Sequence, residues 1–329
     1  LLVAHFDEAE HPHSAQRARA LERLGCEVTT FDLAKRPGLL GRLKGEDLDK
    51  RLAKAVQEAE ANLVLVIGGY ELDGPAVVLL RSETAVPWLN WFPDDLTRID
   101  DIRQAAAGYD QVFVAGSDVA AALSRRPGPP VELLPLAADP SIYRPLKSRD
   151  QYRANVVFAG AATPVREAYL SGLVEFGLAL WGPGWRRTTL RDYCRGEVRS
   201  TAEYVRAYAG ASVAVNLHRD LAAVAADGRA GCNQRLFELA AMGVAQVVDD
   251  RADLARWFEP ERQVVTFRTP EELREAVQSL LHDPPGTDAM AAAARAEALA
   301  RHTHMHRMQR LLEVVGFEAA VRAGAGRAG

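Results

Sequence analysis

Arg235 and Glu238 stand three residues apart in the stretch GCNQRLFELAAMG, residues 231–243, where a polar knot runs straight into an apolar helix start. That spacing puts both side chains on one helical face. If residues 231–234 form the loop entering the helix, Asn233 and Arg235 lie at its N-terminus. Unpaired N–H groups and the positive end of the helix dipole favour an anion such as a phosphate there. The competing reading is a capped helix with a solvated arginine. Glu238 is a carboxylate able to accept two hydrogen bonds, from the paired hydroxyls of a ribose for example. It can equally form a structural ion pair with Arg235, and the two readings can coexist.

Other residues fall where strands end. Gly160 makes the turn after NVVFAG, and Arg166 opens the next helix, where the dipole gives a cation no benefit; a second phosphate-binding cation accounts for it, and a surface arginine is the alternative. Asn216, His218 and Arg219 follow ASVAVNL and are candidates for sugar or phosphate contacts, with a structural histidine as the rival reading. WGPGW at 181–185 reads as a rigid loop rather than a phosphate cradle, because Pro183 has no N–H; its tryptophans either stack on a ligand or pack. In the first half, His11 and His13 occupy the loop after the first strand, and Gly69 and Tyr70 end another. Asp94 and Asp95 follow VPWLNWF. One of these acids can cap the helix starting near Leu96, which leaves the other to orient an acceptor or serve as a base. His302 and His306, on one continuous helix, share a face able to chelate zinc. With no third ligand and no glutamate base beside them, no metal is expected.

The elements that must position these residues alternate regularly. Strand-like LLVAHF, CEVTTFDL, NLVLVIGG, VPWLNWF, DQVFVAGS and VELLPLA are separated by helical segments. Near-continuous apolar strands of this kind belong to parallel sheets covered on both faces. The pattern lapses over residues 138–153, read as an interdomain linker. It then restarts with NVVFAG, a helix over 165–176, LALWG, a helix over 201–209, ASVAVNL, a helix over 234–242, VAQVVDD, a helix over 251–258, QVVTF and a helix over 270–282. One long helix is expected over 290–315, and the tail VRAGAGRAG is expected to fray. The fold class is therefore α/β, as two Rossmann-like domains: 1–147, and 148–300 followed by a terminal segment over 301–329. Ligands in such sheets bind beyond the carboxyl ends of the strands, and two facing sheets place a ligand in the cleft between them.

A chain of 329 residues suits two domains of roughly 150 residues. A net charge of −4 and the lack of an aromatic–basic array argue against nucleic acid. Three widely spaced cysteines, Cys26, Cys194 and Cys232, make neither a disulfide framework nor a zinc ribbon. No apolar run approaches the ~20 residues of a membrane span, and no signal peptide is visible. The chain opens at Leu1 inside a strand-like stretch, so further residues are expected ahead of it. Cytoplasm is the expected location, and a monomer or homodimer the expected state.

Two Rossmann-like halves joined by a linker resemble the GT-B glycosyltransferases. Within them the chain resembles the CgeB-like (spore maturation protein-like) family, whose C-terminal part is a group-1-type glycosyltransferase domain. WFPDD at 91–95, LPLAADPSIYRPL at 134–146, VVFAGAATPVREAYLSGL at 156–173, WGPGW, SVAVNLHR at 212–219, NQRLFELAAMGVAQVVDD at 233–250 and HTHMHRMQRLLE at 302–313 carry the resemblance, by order and spacing. It implies a metal-independent transferase with no cofactor, whose donor is a nucleotide diphosphate sugar such as a UDP-sugar, bound by the C-terminal half. Arg235, Arg166 and the loop amides would hold the diphosphate, and Glu238 the ribose. The first half would take an acceptor hydroxyl or amine, with His11 and His13 on the acceptor-side loop. The segment 221–228 would move over the site, and the terminal helix would return to the N-terminal domain. Retention of anomeric configuration is implied, by front-face displacement. In related retaining enzymes, however, a second acid precedes the ribose glutamate by eight positions, and Ala230 stands there in this chain. A GT-B sugar nucleotide epimerase and a catalytically inactive GT-B partner subunit are the alternatives.

Overall fold

The structure is a computed structural model and describes residues 1–7, 12–35, 47–219, 221 and 229–317. The chain forms two compact units, Leu1–Pro135 with the segment from His304 onward, and Leu136–Thr303.

The first unit runs β1 (Leu2–Ala4), α1 (Pro12–Arg23), β2 (Thr30–Asp32), α2 (Leu48–Glu58), β3 (Val64–Ile67), α3 (Gly74–Thr84), β4 (Trp88–Phe92), α4 (Ile99–Ala106), β5 (Gln111–Val114), α5 (Ser117–Ser124) and β6 (Val131–Leu133). Its six strands are all parallel, in the order β2-β1-β3-β4-β5-β6. The strands are apolar because helices cover both faces: every residue of β1, β3 and β4 is buried. Polar Asn90 is tolerated in β4 because its side-chain amide donates to the Gly68 carbonyl at 2.9 Å.

The second unit repeats the plan with β7 (Ala154–Ala159), α6 (Pro164–Ser171), β8 (Leu178–Trp181), β9 (Cys194–Gly196), α7 (Thr201–Ala209), β10 (Ala211–Asn216), α8 (Gln234–Met242), β11 (Gln246–Asp249), α9 (Leu254–Trp257), β12 (Val265–Phe267), α10 (Pro270–His282) and α11 (Pro284–Arg301). Its six parallel strands take the order β12-β11-β10-β7-β8-β9. The order in which the chain lays down its parallel strands reverses between β1 and β3 in the first unit and between β7 and β10 in the second. Ligands of open α/β sheets bind at such switch points, beyond the carboxyl ends of the strands.

Several elements differ from the sequence expectation. Short β9 escapes a hydropathy reading because Cys-Arg-Gly has no apolar run. The helix over 251–258 shrinks to one turn, 254–257. The charged stretch 138–153 lies within the second unit, where Tyr143 is buried and Asp139 accepts from the Ser141 N–H at 2.9 Å. The long helix over 290–315 is instead α11, starting at Pro284, and α12 (His304–Val314), with a break at His302–Thr303. There the Ala138 N–H donates to the His302 carbonyl at 3.1 Å. His302 and His306 therefore share no helical face. Among the described residues no group of three or more His, Cys, Asp or Glu is placed to hold a metal. α12 packs on α1 in the first unit. Among the described residues, no helix is long and apolar enough to cross a membrane.

Gly182 shows how tightly the end of β7 is built. Its φ is +126°, and a Cβ there would meet the Gly160 carbonyl oxygen at 2.5 Å. Gly182→Ala is expected to cost about 2–4 kcal/mol from strained backbone plus overlap, read as a lower urea midpoint.

Candidate functional site

In the second unit the site is assembled at the switch point. Arg166, in the first turn of α6, reaches across it. One terminal guanidinium nitrogen donates to the Ala161 carbonyl after β7 at 2.9 Å, the other to the Leu217 carbonyl after β10 at 3.2 Å. Arg235, in the first turn of α8, donates to the Ala159 carbonyl at 2.6 Å. Both guanidinium groups lie over the Phe158 ring, each 5.3 Å from its centroid. Burial, then the nearby charges of Arg235 and Arg219, bring the Arg166 pKa down to about 10. Arg166 stays protonated at neutral pH, with Arg235 and Arg219 adding to the effect of burial. Burial also opposes the charge of Arg235, but Tyr208, Tyr204 and Glu238 outweigh it and hold this guanidinium more basic than usual. Three cations thus converge on the carboxyl end of the central strand, with exposed Arg219 on the solvent side. Such a place selects an anion.

The polar residues around these arginines act on the loop entering α8. Asn233 is the N-cap: its side-chain oxygen accepts from the Leu236 N–H at 3.1 Å. Its amide donates to the Asn216 side-chain oxygen at 2.7 Å, and Asn216 donates to Gln246 at 3.2 Å. His218 is used at both ring nitrogens. Nδ1 lies 2.8 Å from an Asp249 carboxylate oxygen, and Nε2 accepts the Asn233 backbone N–H at 2.8 Å. With Nε2 accepting, Nδ1 is the ring nitrogen that faces the carboxylate. Arg251 completes the buried cluster, donating to the other Asp249 oxygen at 2.8 Å. Asn216, Asn233 and His218, expected to touch a ligand, are instead spent on fixing the loop. His218 in particular has no ring nitrogen left for a substrate.

Glu238 is also enclosed. Tyr204 and Tyr143 bring their phenols towards its carboxyl, and burial pushes its pKa up despite them and Arg235. The sequence reading put it on one helical face with Arg235; α8 is buried from Leu236 to Met242, Glu238 included. Gly160 lies at the turn after β7 as expected, and its carbonyl accepts the Trp185 indole N–H at 2.8 Å. Trp185 is fully buried, so it packs and stacks on nothing external, while Trp181 lies against Tyr152 with ring centroids 5.4 Å apart. A pocket of about 560 Å³ opens beside this turn, bounded by Ala161, Ala162, Gly184, Arg186 and Arg187 among others.

The first unit has its own cluster at the carboxyl ends of β3 and β4. Gly69 has φ +62°, a conformation that lets β3 turn sharply into Tyr70. The Tyr70 hydroxyl donates to Asp94 at 2.5 Å, and the Arg98 guanidinium lies 3.6 Å from the centre of the Tyr70 ring. Burial and the Asp94 charge push the Tyr70 pKa up, so it remains a donor. Asp95 accepts from the Thr97 N–H at 2.8 Å and caps the 3₁₀ turn Leu96–Arg98. The two acids divide as the sequence allowed, one capping and one free of that duty. His13 lies in the first turn of α1 rather than in a loop, near the Gln16 side chain. His11 and most of 221–228 lie outside the described residues, as does the tail.

Residues 165–313 match a family model described as glycosyl transferase-like. No curated protein matches the chain significantly. Among solved structures, sucrose-phosphate synthase from Thermosynechococcus elongatus superposes with a TM-score of 0.68 at 15% identity, covering 97% of this chain and 98% of that one. HepE of Anabaena, in complex with UDP and glucose, gives 0.61 at 14% identity, covering 95% and 91%. A glycosyltransferase from Rickettsia africae gives 0.64 at 8% identity, covering 99% of each chain.

The fold is GT-B.

Sequence reading missed five contributors to this GT-B chain's candidate sites. Phe158, under both guanidinium groups, looks like any apolar strand residue. Tyr143 and Tyr204 reach Glu238 from distant segments. Asp249 and Arg251 did carry a signal, an acid ending an apolar strand followed closely by an arginine, which marks a strand-end ion pair.

Proposed function

We propose that the protein is a glycosyltransferase that moves a sugar from a nucleoside diphosphate sugar to an acceptor hydroxyl or amine, in the CgeB-like manner. The observation that carries this reading is the convergence of Arg166, Arg235 and Arg219 at the β7/β10 switch point. When the bond from the anomeric carbon to the diphosphate oxygen breaks, negative charge grows on the leaving group. Preorganised cations and helix-terminal N–H groups stabilise that charge. The acceptor oxygen bonds to the anomeric carbon, its proton passes to the departing phosphate oxygen, and the nucleoside diphosphate leaves. This is the retaining, front-face course; with Ala230 buried and carrying only a methyl group, no protein carboxylate acts at that position.

The arginines supply the charge, so the reading needs no divalent metal and no cofactor. HepE was crystallised with UDP and glucose, which makes UDP-sugars the first donors to try. Glu238 is assigned to the ribose through its position one turn beyond Arg235, with Tyr143 and Tyr204 orienting it. In the first unit, Asp94 is assigned to the acceptor, held in place by the Tyr70 hydroxyl. A cytoplasmic location accompanies this reading, supported by three cysteines that form no disulfide.

A thermal-shift series with UDP, other nucleoside diphosphates and their sugars tests the donor assignment. A ligand at one hundred times its Kd adds about 2.7 kcal/mol to folding stability. We expect at least one diphosphate to raise Tm by several degrees, with the shift kept in EDTA, and turnover to require an acceptor. Isomerised sugar from donor alone would identify an epimerase; binding without turnover would identify a partner subunit.

A further inference from the structure

We propose that the first unit binds a phosphate group carried by the acceptor, at the N-terminal end of α1 between Arg17 and His304. The inference rests on assigning the acceptor to this unit.

Arg17 and His304 are both buried. Among the described residues, the Nε of Arg17 and both ring nitrogens of His304 have no hydrogen-bond partner. Buried donors of this kind cost folding free energy unless something fills the place. The surroundings are cationic. His13 stacks at an angle to His304, with ring centroids 6.0 Å apart, so His304 sits at the start of α1. Arg307 of α12 is buried, with its Nε on the Pro135 carbonyl at 2.7 Å. The Arg17 guanidinium lies 4.6 Å from the centre of the Trp91 ring. Burial, followed by the charges of Arg17, His13, Arg307 and Arg19, drives the His304 pKa well below its ordinary value. Asp94 is the carboxylate that acts on Arg17, and it already accepts from the Tyr70 hydroxyl.

The helix adds to the field. The first turn of an α-helix presents N–H groups without helical partners and the positive end of the dipole. No acidic residue occupies the first turn of α1. The place lies beyond the carboxyl end of β1, beside the β1/β3 switch point where ligands of such sheets bind. A phosphate monoester, with three terminal oxygens, uses the guanidinium, the imidazole and the helix N-terminus together. A carboxylate has too few oxygens for all of them.

Thermal unfolding of the full chain in inorganic phosphate tests this, against potassium chloride and potassium acetate at equal ionic strength. Phosphate is expected to raise Tm beyond both salts, with a millimolar midpoint. Arg17→Met and His304→Gln are each expected to weaken that midpoint at least tenfold while leaving the UDP-dependent shift unchanged. Equal shifts in phosphate, acetate and chloride with the wild-type chain would overturn the proposal, as would a phosphate midpoint unaffected by both substitutions. Because UDP binding is read separately, failure here is distinct from failure of the donor assignment.

Discussion

Arg235→Met is expected to lower sugar transfer by about 10²–10³-fold, the loss typical of removing one preorganised donor to a developing oxyanion. Methionine keeps the stem packed over Phe158 and deletes the charge. The fold survives, because the Ala159 carbonyl loses one charge-assisted hydrogen bond worth about 1.5–3 kcal/mol, while the buried face of α8 stays intact. Arg166→Met should fall by a similar factor. The double substitution should fall by less than the product, since both guanidinium groups act on one diphosphate over one ring. Arg235→Lys separates charge from shape: an ammonium retains the point charge but cannot lie flat on Phe158, so partial activity is expected. Transfer rates and donor Kd, measured on variants with unchanged circular dichroism, check all of this. Full turnover in both single methionine variants would sink the assignment of these arginines.

The alternation of apolar strands and helices was enough to read both sheets, because parallel strands buried on both faces must be continuously apolar. α7, α8 and α10 fall on their expected limits, since caps and the glycine after α8 mark them locally. For the candidate site, the positions of its residues at strand and helix ends were legible, and their hydrogen-bond partners were not. Asn216, His218 and Asn233 sit at strand and helix ends as expected. Whether such a residue faces a ligand or a neighbouring loop depends on partners such as Asp249 and Gln246, more than ten residues away, and no local pattern encodes that. Glu238 follows the same rule: its phenol partners, Tyr143 and Tyr204, lie in segments that periodicity treats as a linker and an ordinary helix. The break at His302–Thr303 was hidden because no glycine or proline marks it. The backbone turns there through the Ala138 bridge to Thr303, a contact formed only in the folded unit.

Asp249→Asn is expected to destabilise the second unit by about 3–5 kcal/mol, the range for a buried ion pair that loses one partner. The carboxylate takes the His218 backbone N–H at 2.9 Å, the His218 ring at 2.8 Å and Arg251 at 2.8 Å, all in the interior. An asparagine leaves the buried Arg251 charge uncompensated and must point one N–H₂ at another donor. The loss extends to function, because His218 holds the Asn233 N–H only while Asp249 fixes its ring and tautomer. The loop before Arg235 should loosen, and the donor should bind more weakly even where the variant stays folded. The pH dependence has a definite sign. Burial alone would raise the Asp249 pKa, but His218 and Arg251 outweigh it and hold it at about 2, below the ordinary 3.8. A depressed carboxylate contributes stability above its unfolded value and loses it as pH falls through the folded one. About 2 kcal/mol should therefore disappear between roughly pH 4 and pH 2. Urea unfolding of wild type and variant at pH 7 and pH 3 measures both effects, with the gap between the two proteins narrowing at the lower pH. Adding Arg251→Met to the variant should recover part of the loss, because an apolar side chain in that place leaves no orphaned charge. Equal midpoints for wild type and Asp249→Asn at pH 7 would show that this cluster does not hold the loop.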